Sequence, residues 1–122
     1  MTTMMRRKLN YKRGDVILAI FPDSNLLTAK PRPALIVQAE NLKTGLSQVI
    51  VAMITSKMFR VNHPSRVSIL LSTSEGQQSG LITDSVVMTD NLATVAESEI
   101  DRVIGSIPMT KIDMALRHTL NL

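Results

Sequence analysis

Five short aliphatic runs, each bounded by turn-forming residues, constrain the fold of this chain more than any other feature. The runs are "DVILAIF", "PALIVQA", "QVIVAMI", "RVSILL" and "SVVMT". Each is rich in β-branched residues, has the length of a strand, and lies between Gly, Pro, Asn, Asp or Ser. The chain has only three aromatic residues, Tyr11, Phe21 and Phe59. We therefore predict five strands around an aliphatic core.

The C-terminal part of the sequence predicts further strands and one helix. "NLATVAESEIDRVIGSI" indicates another strand, a helical turn that begins near Ser98, and a short strand around residues 102–107. "TKIDMALRHTLNL" predicts a helix with Thr110 as its N-cap and Asp113 in its first turn. The apolar face of this helix comprises Ile112, Ala115, Leu116 and Leu120. The helices that would have to alternate with the strands of a parallel sheet are missing, so we expect an α+β or β-barrel fold, mainly β with small helices.

Length and charge indicate one domain with a basic N-terminal arm. A chain of 122 residues fits one domain, 1–122, with a single core, and the longest expected loops are 22–31, 57–65 and 72–80. Five cations precede the first acidic residue, and the remainder carries nine basic and ten acidic residues. The five cations are Arg6, Arg7, Lys8, Lys12 and Arg13. Residues 1–12 either hold a polyanion electrostatically or form a solvated, disordered terminus.

The composition argues against several classes of protein. Without cysteine, the chain can form neither a disulfide nor a thiolate metal site. His63 and His118 lie in different elements, and neither has a second ligand at metal spacing, so we expect no metal and no cofactor. GxSxG and phosphate-loop motifs are missing. No apolar run reaches the roughly 20 residues of a membrane span, and no signal peptide is recognisable, so we expect a soluble cytoplasmic protein.

The stretch "KPRPALIV" places Arg32 between two prolines at the entry to an aliphatic run. Pro33 disfavours the α region for Arg32, and each proline fixes its own φ, so we expect an extended, stiff backbone that holds the guanidinium in place. A planar, permanently charged group suits a phosphate and the charge that grows on it during transfer. The alternative is that the prolines only protect a strand entry and Arg32 is solvated.

Hydroxyl and cationic groups follow the third aliphatic run. "VAMITSK" ends with Thr55, Ser56 and Lys57, which could hydrogen-bond to a ribose-phosphate unit or could simply form a turn. In "DSVVMTDNLAT", Asp84 precedes a strand and Asp90 follows it, and either carboxylate could cap a turn. Asp90 becomes a candidate for chemistry only if other groups converge on it.

Taken together and in order, several stretches resemble the PemK/MazF family of bacterial toxins, the endoribonucleases of toxin-antitoxin pairs. These stretches are "RGDVILAIFP" with "KPRPALIV", "VIVAMITS", "GLITDSVVMTDNLATV" and "IDRVIGSIPMTKIDMALRHTLNL", which span Arg13 to the C-terminus. The resemblance implies an SH3-like barrel of strongly twisted antiparallel sheet with a C-terminal helix, assembled as a homodimer. It implies a cognate antitoxin as partner, and operator DNA only indirectly through that antitoxin.

The resemblance also implies a reaction and roles for individual residues. Single-stranded RNA, including mRNA, would be cut without metal by attack of the ribose 2′-hydroxyl, which gives a 2′,3′-cyclic phosphate and a 5′-hydroxyl. Arg32 would stabilise the phosphorane charge, Thr55 would orient the 2′-hydroxyl or donate to a phosphoryl oxygen, and Asp90 would act as general base. The residues expected to bind the substrate are Lys30, Ser56 and Lys57.

One position departs from the family pattern and keeps other functions open. Met88 stands where the family commonly has an arginine, and losing that cation would weaken catalysis or change the preferred RNA sequence. A non-catalytic RNA- or protein-binding module is the first alternative, with Arg32 as a phosphate anchor only. The scarcity of aromatics argues against a stacking-based RNA binder. The second alternative is the gyrase-targeting toxin class, which uses an aromatic near the C-terminus, where "HTLNL" has none.

Overall fold

The structure, a computed structural model, describes residues 10–22 and 27–122. Within these residues, six antiparallel strands form one sheet in the order β4-β5-β3-β2-β1-β6. The strands are β1 (Asp15–Pro22), β2 (Ala29–Ile36), β3 (Gln48–Thr55), β4 (Arg66–Ile69), β5 (Ser85–Ala96) and β6 (Ile100–Ser106). The helices are α1 (Ser74–Ser79), a short 3-10 turn (Glu97–Glu99) and α2 (Thr110–Leu120). The predicted mainly β fold with a C-terminal helix is confirmed.

The fifth strand is longer than the sequence indicated. "SVVMT" and the strand expected after it form one strand, β5, of 12 residues. The pairing of β3 with β5 is interrupted, because Ala52 pairs with Leu92 whereas its neighbour Met53 pairs with Met88. The residues between those two partners, 89–91, therefore form a bulge. A bulge bends its strand and increases its twist. The first half of β5 pairs with both β3 and β4, whereas the second half pairs only with β3.

Both faces of the curved sheet carry aliphatic cores. One face, which we call the helix face, packs under α2. Its buried residues include Leu35, Ala52, Ile54, Val87, Ile112 and Leu116. The opposite face, which we call the groove face, buries a second cluster that includes Ala34, Ile36, Val51, Val95 and Ile100. The two sets alternate along β2 and β3, as expected from the two-residue period of a strand. The aliphatic composition agrees with the prediction, but the buried residues form two clusters, one on each face, and not the single core that was expected.

The C-terminal helix agrees with the prediction except at its two ends. Met109 already has helix-like angles, φ −91° and ψ −4°, and is the N-cap, so the prediction of Thr110 as N-cap is wrong. Ile112, Ala115 and Leu116 are buried as predicted, but Leu120 in the last turn is 49% exposed. Asp113 accepts a hydrogen bond from Arg13 Nη2 at 2.7 Å. This ion pair ties the first turn of α2 to the residues just before β1.

Residues 72–80 were expected to form a loop, and that prediction is wrong for their centre, which forms the helix α1. Thr73 caps the helix by accepting a hydrogen bond from the Gly76 N–H at 3.1 Å. Gly80 ends it in the left-handed conformation, φ 74°, which glycine adopts without a steric penalty. Capping rather than apolar periodicity defines this helix, because six residues are too few to show a helical period.

The basic arm can be followed only in part. Residues 1–9, which include Arg6, Arg7 and Lys8, lie outside the described residues. Arg13 belongs to the folded domain, because besides its ion pair it donates from Nε to the Val37 carbonyl at 2.9 Å. None of the helices in the described ranges combines the length and hydropathy that a membrane-spanning helix requires.

Candidate functional site

The strand β2 starts at Ala29 rather than at Pro33, where the apolar run begins, so both prolines lie inside the strand. Pro31 and Pro33 pair with residues of β1. On its other side, β2 pairs with β3 only from Ala34 onward. A proline has no N–H, and so it cannot extend a ladder of backbone hydrogen bonds. The pairing of β2 with β3 therefore stops beside Pro33, at the end of the sheet that carries Arg32.

The register of the strands places three predicted positions on one face. Ala34 pairs with Met53, and Met53 pairs with Met88. Residues opposite each other in antiparallel strands point to the same face, and so do residues two apart along one strand. Arg32 is two residues from Ala34, and Thr55 is two residues from Met53. Consequently Arg32, Thr55 and Met88 all lie on the groove face.

These side chains line an open groove with a volume of about 440 Å³. We call it the Arg32 groove. It is defined by Arg32, Thr55, Ser56, Lys57, Met88 and Asn91, with apolar residues from β3 and from the segment before β5 around them. The extended backbone expected for Arg32 is confirmed. Three separate stretches of sequence, from β2, β3 and β5, thus meet at one surface that combines a cation and hydroxyls.

The Thr55 hydroxyl at the end of β3 stabilises a local turn, which is the alternative role that the sequence left open. Thr55 Oγ1 accepts a hydrogen bond from the Lys57 N–H at 3.1 Å. The oxygen is the acceptor in this bond, so the hydroxyl proton can still be donated to a ligand. Ser56 and Lys57 are exposed beside it. Lys30 is also exposed, opposite Phe21 of β1, and it is not among the residues that line the groove.

Asp90 lies at the edge of the groove, engaged by a cation that sequence reasoning missed. Asn91, the next residue, and Met88, two residues earlier, line the groove, whereas Asp90 does not line it and contacts Arg66 of β4. Its Oδ1 lies 3.0 Å from Arg66 Nε, and its Oδ2 lies 3.2 Å from Arg66 Nη2. The other candidate, Asp84, accepts a hydrogen bond from the Leu71 N–H at 2.8 Å, which joins the segment before β5 to the turn after β4.

A network of hydroxyl groups holds the bulge against α2. The buried Thr89 donates from Oγ1 to the Ser65 carbonyl at 2.7 Å, and it lies 2.8 Å from Thr119 Oγ1. Thr119 in turn donates to Ser65 Oγ at 2.7 Å or to the Ala115 carbonyl at 2.8 Å. Buried hydroxyls are stable only when they are hydrogen-bonded. The network therefore fixes the residue immediately before Asp90.

The two histidines lie away from the groove. His63 and His118 are exposed, with ring centroids 6.1 Å apart. His63 Nδ1 accepts a hydrogen bond from the Ser65 N–H at 3.1 Å, as a loop residue would. Within residues 10–22 and 27–122, no three His, Cys, Asp or Glu side chains are grouped so that they could hold a metal ion.

Comparison with known proteins gives one family and one fold. The sequence model of the PemK-like, MazF-like toxins of type II toxin-antitoxin systems matches residues 12–120. Among solved structures, the chain is similar to an endoribonuclease in complex with its cognate antitoxin from Mycobacterial species. That likeness has 24% identity and a TM-score of 0.71, and it covers 93% of this chain and 97% of the other.

Two further solved structures show the same fold. The Mycobacterium tuberculosis toxin MazF-mt6 is 24% identical, with a TM-score of 0.66 over 88% of this chain and 97% of the other. A MazE-MazF structure from Deinococcus radiodurans is 15% identical, with a TM-score of 0.67 over 92% and 97%. At these identities the likeness establishes the fold. A search of curated proteins found no match.

Proposed function

Because this chain belongs to the PemK-like, MazF-like toxins of type II toxin-antitoxin systems, we propose that it is a sequence-specific endoribonuclease that cleaves single-stranded RNA without a metal ion. The observation that carries the proposal is the placement of Arg32 and Thr55 on one face, where the pairing of β2 with β3 stops. A scissile phosphate in the Arg32 groove would meet a fixed cation from one strand and a hydroxyl from the next.

The proposed reaction is attack of the ribose 2′-oxygen on the adjacent phosphorus. The 2′-O–P bond forms and the P–O5′ bond breaks, and the departing 5′-oxygen takes up a proton from water, which leaves a 2′,3′-cyclic phosphate and a 5′-hydroxyl. Negative charge grows on the phosphoryl oxygens in the transition state. The Arg32 guanidinium is held on an extended strand before the substrate arrives. It can therefore stabilise that charge without rearranging, which is the most effective kind of electrostatic stabilisation.

Thr55 and Asp90 complete the proposed chemistry. Thr55 donates its hydroxyl proton to a phosphoryl oxygen or orients the 2′-hydroxyl. Asp90, at the groove edge, accepts the proton of the 2′-hydroxyl, and a positioned base of this kind contributes about 10² to 10⁴ in rate. Lys30, Ser56 and Lys57 bind the RNA backbone on either side, because exposed cations and hydroxyls make contacts with phosphate and sugar that carry no sequence preference.

The proposed partners follow from the family. A cognate antitoxin would place an acidic segment across the Arg32 groove, competing with phosphate for the same cation. Operator DNA would be bound only through that antitoxin.

We also propose a homodimer. Its support is the family together with a groove of about 530 Å³ beside the end of α2, whose walls include the exposed Leu42, Ile50, Leu120 and Leu122. Apolar side chains exposed together are typical of an interface.

The test is to incubate the purified full chain with a long RNA in EDTA and to map the new ends. Cuts at one short sequence, with cyclic phosphate and 5′-hydroxyl termini, are the expected result. Arg32→Ala and Thr55→Ala should each abolish the cuts while circular dichroism shows a folded protein. As a control, Arg102→Ala removes an exposed cation of β6 and should cleave normally. RNA that stays intact across diverse sequences would exclude the proposal.

A second candidate function is favoured by the composition of the groove. Met88 contributes an apolar side chain where a cation would assist cleavage, and Asp90 is already engaged by Arg66. Both observations suit a module that binds RNA without cutting it. The same experiment separates the two functions, because a binding module would retard the RNA in a gel while leaving it intact, and Arg32→Ala would then abolish the retardation.

A further inference from the structure

We propose that Arg66 is a further functional residue of the Arg32 groove: it holds the Asp90 carboxylate at the groove edge and supplies cationic charge beside Met88. The inference rests on the proposed ribonuclease function and assigns a role within it to a residue of the short strand β4. Its basis is the strand register, the geometry of the Arg66–Asp90 ion pair and the position of the β5 bulge.

The register places Arg66 next to the groove. Arg66 pairs directly with Met88 across β4 and β5. Opposite residues in an antiparallel pair point to the same face, and the Met88 side chain lines the groove. Arg66 therefore lies on the groove face one strand farther out than Met88, beside the groove and not among the residues that line it. It also borders a second cavity, together with Lys111 and His118 of α2. The apolar side chain on β5 has a guanidinium as its immediate cross-strand neighbour.

The geometry of the ion pair fixes the direction of the carboxylate. Arg66 Nε and Nη2 contact both oxygens of Asp90, at 3.0 Å and 3.2 Å. The Arg66 side chain is only 15% exposed, so its orientation is constrained by packing as well as by charge. Asp90 stands in a bulge, where the backbone alone does not determine where a side chain points. Arg66 thus decides which way this carboxylate faces.

Arg66 also retains donors that can reach a phosphate. A guanidinium has five N–H groups in a planar fork, and the contacts to Asp90 involve only Nε and Nη2. The proposed role requires the remaining N–H groups to reach a phosphate lying over Met88. A cation within reach of a developing phosphorane charge lowers the barrier whichever strand carries it.

The alternative is a purely structural ion pair, and the chain contains a good example for comparison. Arg13 contacts Asp113 at 2.7 Å, with side chains 28% and 41% exposed. That pair links the start of β1 to α2, and neither of its residues is the cross-strand neighbour of a groove residue, whereas Arg66 pairs with Met88. If Arg66 only supported the fold, replacing it would have the same kind of effect as replacing Arg13.

The experiment measures kcat and KM of the full chain on a short RNA that contains the mapped cleavage sequence. Arg66→Ala should lower kcat by about 10²-fold, with KM changed by less than about threefold, because the lost interaction belongs to the transition state. Arg66→Lys should recover only part of the rate, since an ammonium cannot engage both carboxylate oxygens as a fork does. Arg13→Ala should lower the melting temperature, and Arg102→Ala, which removes an exposed cation paired with Asp101, should leave kcat unchanged.

A rescue variant makes the test independent of folding defects. Met88→Arg in the Arg66→Ala background places a guanidinium on the opposite strand of the same pair, and it should raise kcat at least about tenfold over Arg66→Ala alone. The proposal is overturned if Arg66→Ala keeps wild-type kcat. It is equally overturned if the rate it loses is not restored by Met88→Arg. A wild-type chain that cuts no RNA refutes the proposed function itself and this inference with it.

Discussion

The two faces of the sheet use neighbouring residues of the same strands for different purposes. On β3, Ala52 is fully buried on the helix face while the next residue, Met53, lines the Arg32 groove. On β5, Val87 and Met88 divide in the same way. The helix face excludes water, whereas the groove face leaves polar side chains accessible where β2 and β3 stop pairing. Stability and the proposed chemistry should therefore respond to different substitutions, although the residues are adjacent in sequence.

The largest expected effect is on the helix face. Ile112→Ala removes a fully buried side chain of α2, and truncations of this kind cost about 2–5 kcal/mol. Urea unfolding of the variant should show that loss, and the protein that remains folded should cleave RNA at the wild-type rate. A large fall in cleavage per folded molecule would show that the two faces are not independent.

The next effect is on the groove face and leaves stability nearly intact. Thr55→Val keeps the shape of the side chain but removes the hydroxyl, and it should lower the cleavage rate by about 10²-fold, the typical cost of one transition-state donor. The free energy of unfolding should fall by no more than about 1 kcal/mol, for the lost bond to the Lys57 N–H. Thr55→Ser, which retains the hydroxyl, is the matched control and should remain active.

A smaller effect on stability and cleavage is expected from the hydroxyl network that holds the β5 bulge against α2. Thr89→Val keeps the volume of a fully buried residue but leaves its hydrogen-bond partners at Ser65 and Thr119 short of one bond each. We expect a loss of about 1–2 kcal/mol in urea unfolding. Because Thr89 precedes Asp90 in the bulge, cleavage by the folded protein should fall as well. Unchanged cleavage would mean that the bulge holds its shape without the network.

The smallest effect concerns pH. Burial raises the pKa of Tyr11 above its usual value of 10.0, and the charge of Glu97 and a hydrogen bond to it raise it further. The folded state then holds the phenolic proton more tightly than the unfolded state. The resulting stabilisation is complete below the unfolded pKa and is lost as the pH rises through the folded one.

Tyr11→Phe removes this titration and so tests it. Between about pH 9 and pH 11, the variant should lose less stability than the wild type in parallel urea unfolding experiments. The difference should be small, because Tyr11 is only half-buried and is screened by solvent. Identical pH profiles would show that the Tyr11 hydroxyl has the same environment in both states.

The strands were predictable because each has its own aliphatic run, and the apolar face of α2 was predictable because its buried residues recur at helical spacing. The start of β2 was not predictable, because "KPRP" lacks aliphatic residues and forms a strand only through its pairing with β1. The helix α1 was missed for a related reason, because its capping by Thr73 and Gly80 shows in the sequence only as turn-forming residues.

The site was predictable to the extent that single stretches determine it. Arg32 and Thr55 were proposed from local sequence and from the family resemblance, and the structure brings both to one groove. The Arg66–Asp90 pair could not be predicted, because it joins residues 24 positions apart through a pairing register and a bulge that no local pattern specifies. The sequence showed only that Arg66 and Asp90 have opposite charges, and this indicates a contact only once their strands are known to be neighbours.

The two prolines of β2 also limit how a partner can enter the groove. Where an interior strand stops pairing, its backbone N–H and C=O groups are unpaired. A strand of another chain can normally bind to such groups and extend the sheet. Along this segment, however, a foreign strand would meet Pro31 and Pro33, which have no N–H to offer. These two residues therefore offer a ligand no backbone donor, and the proposed ligands, RNA or an antitoxin segment, would be selected through side chains and not merely for being extended.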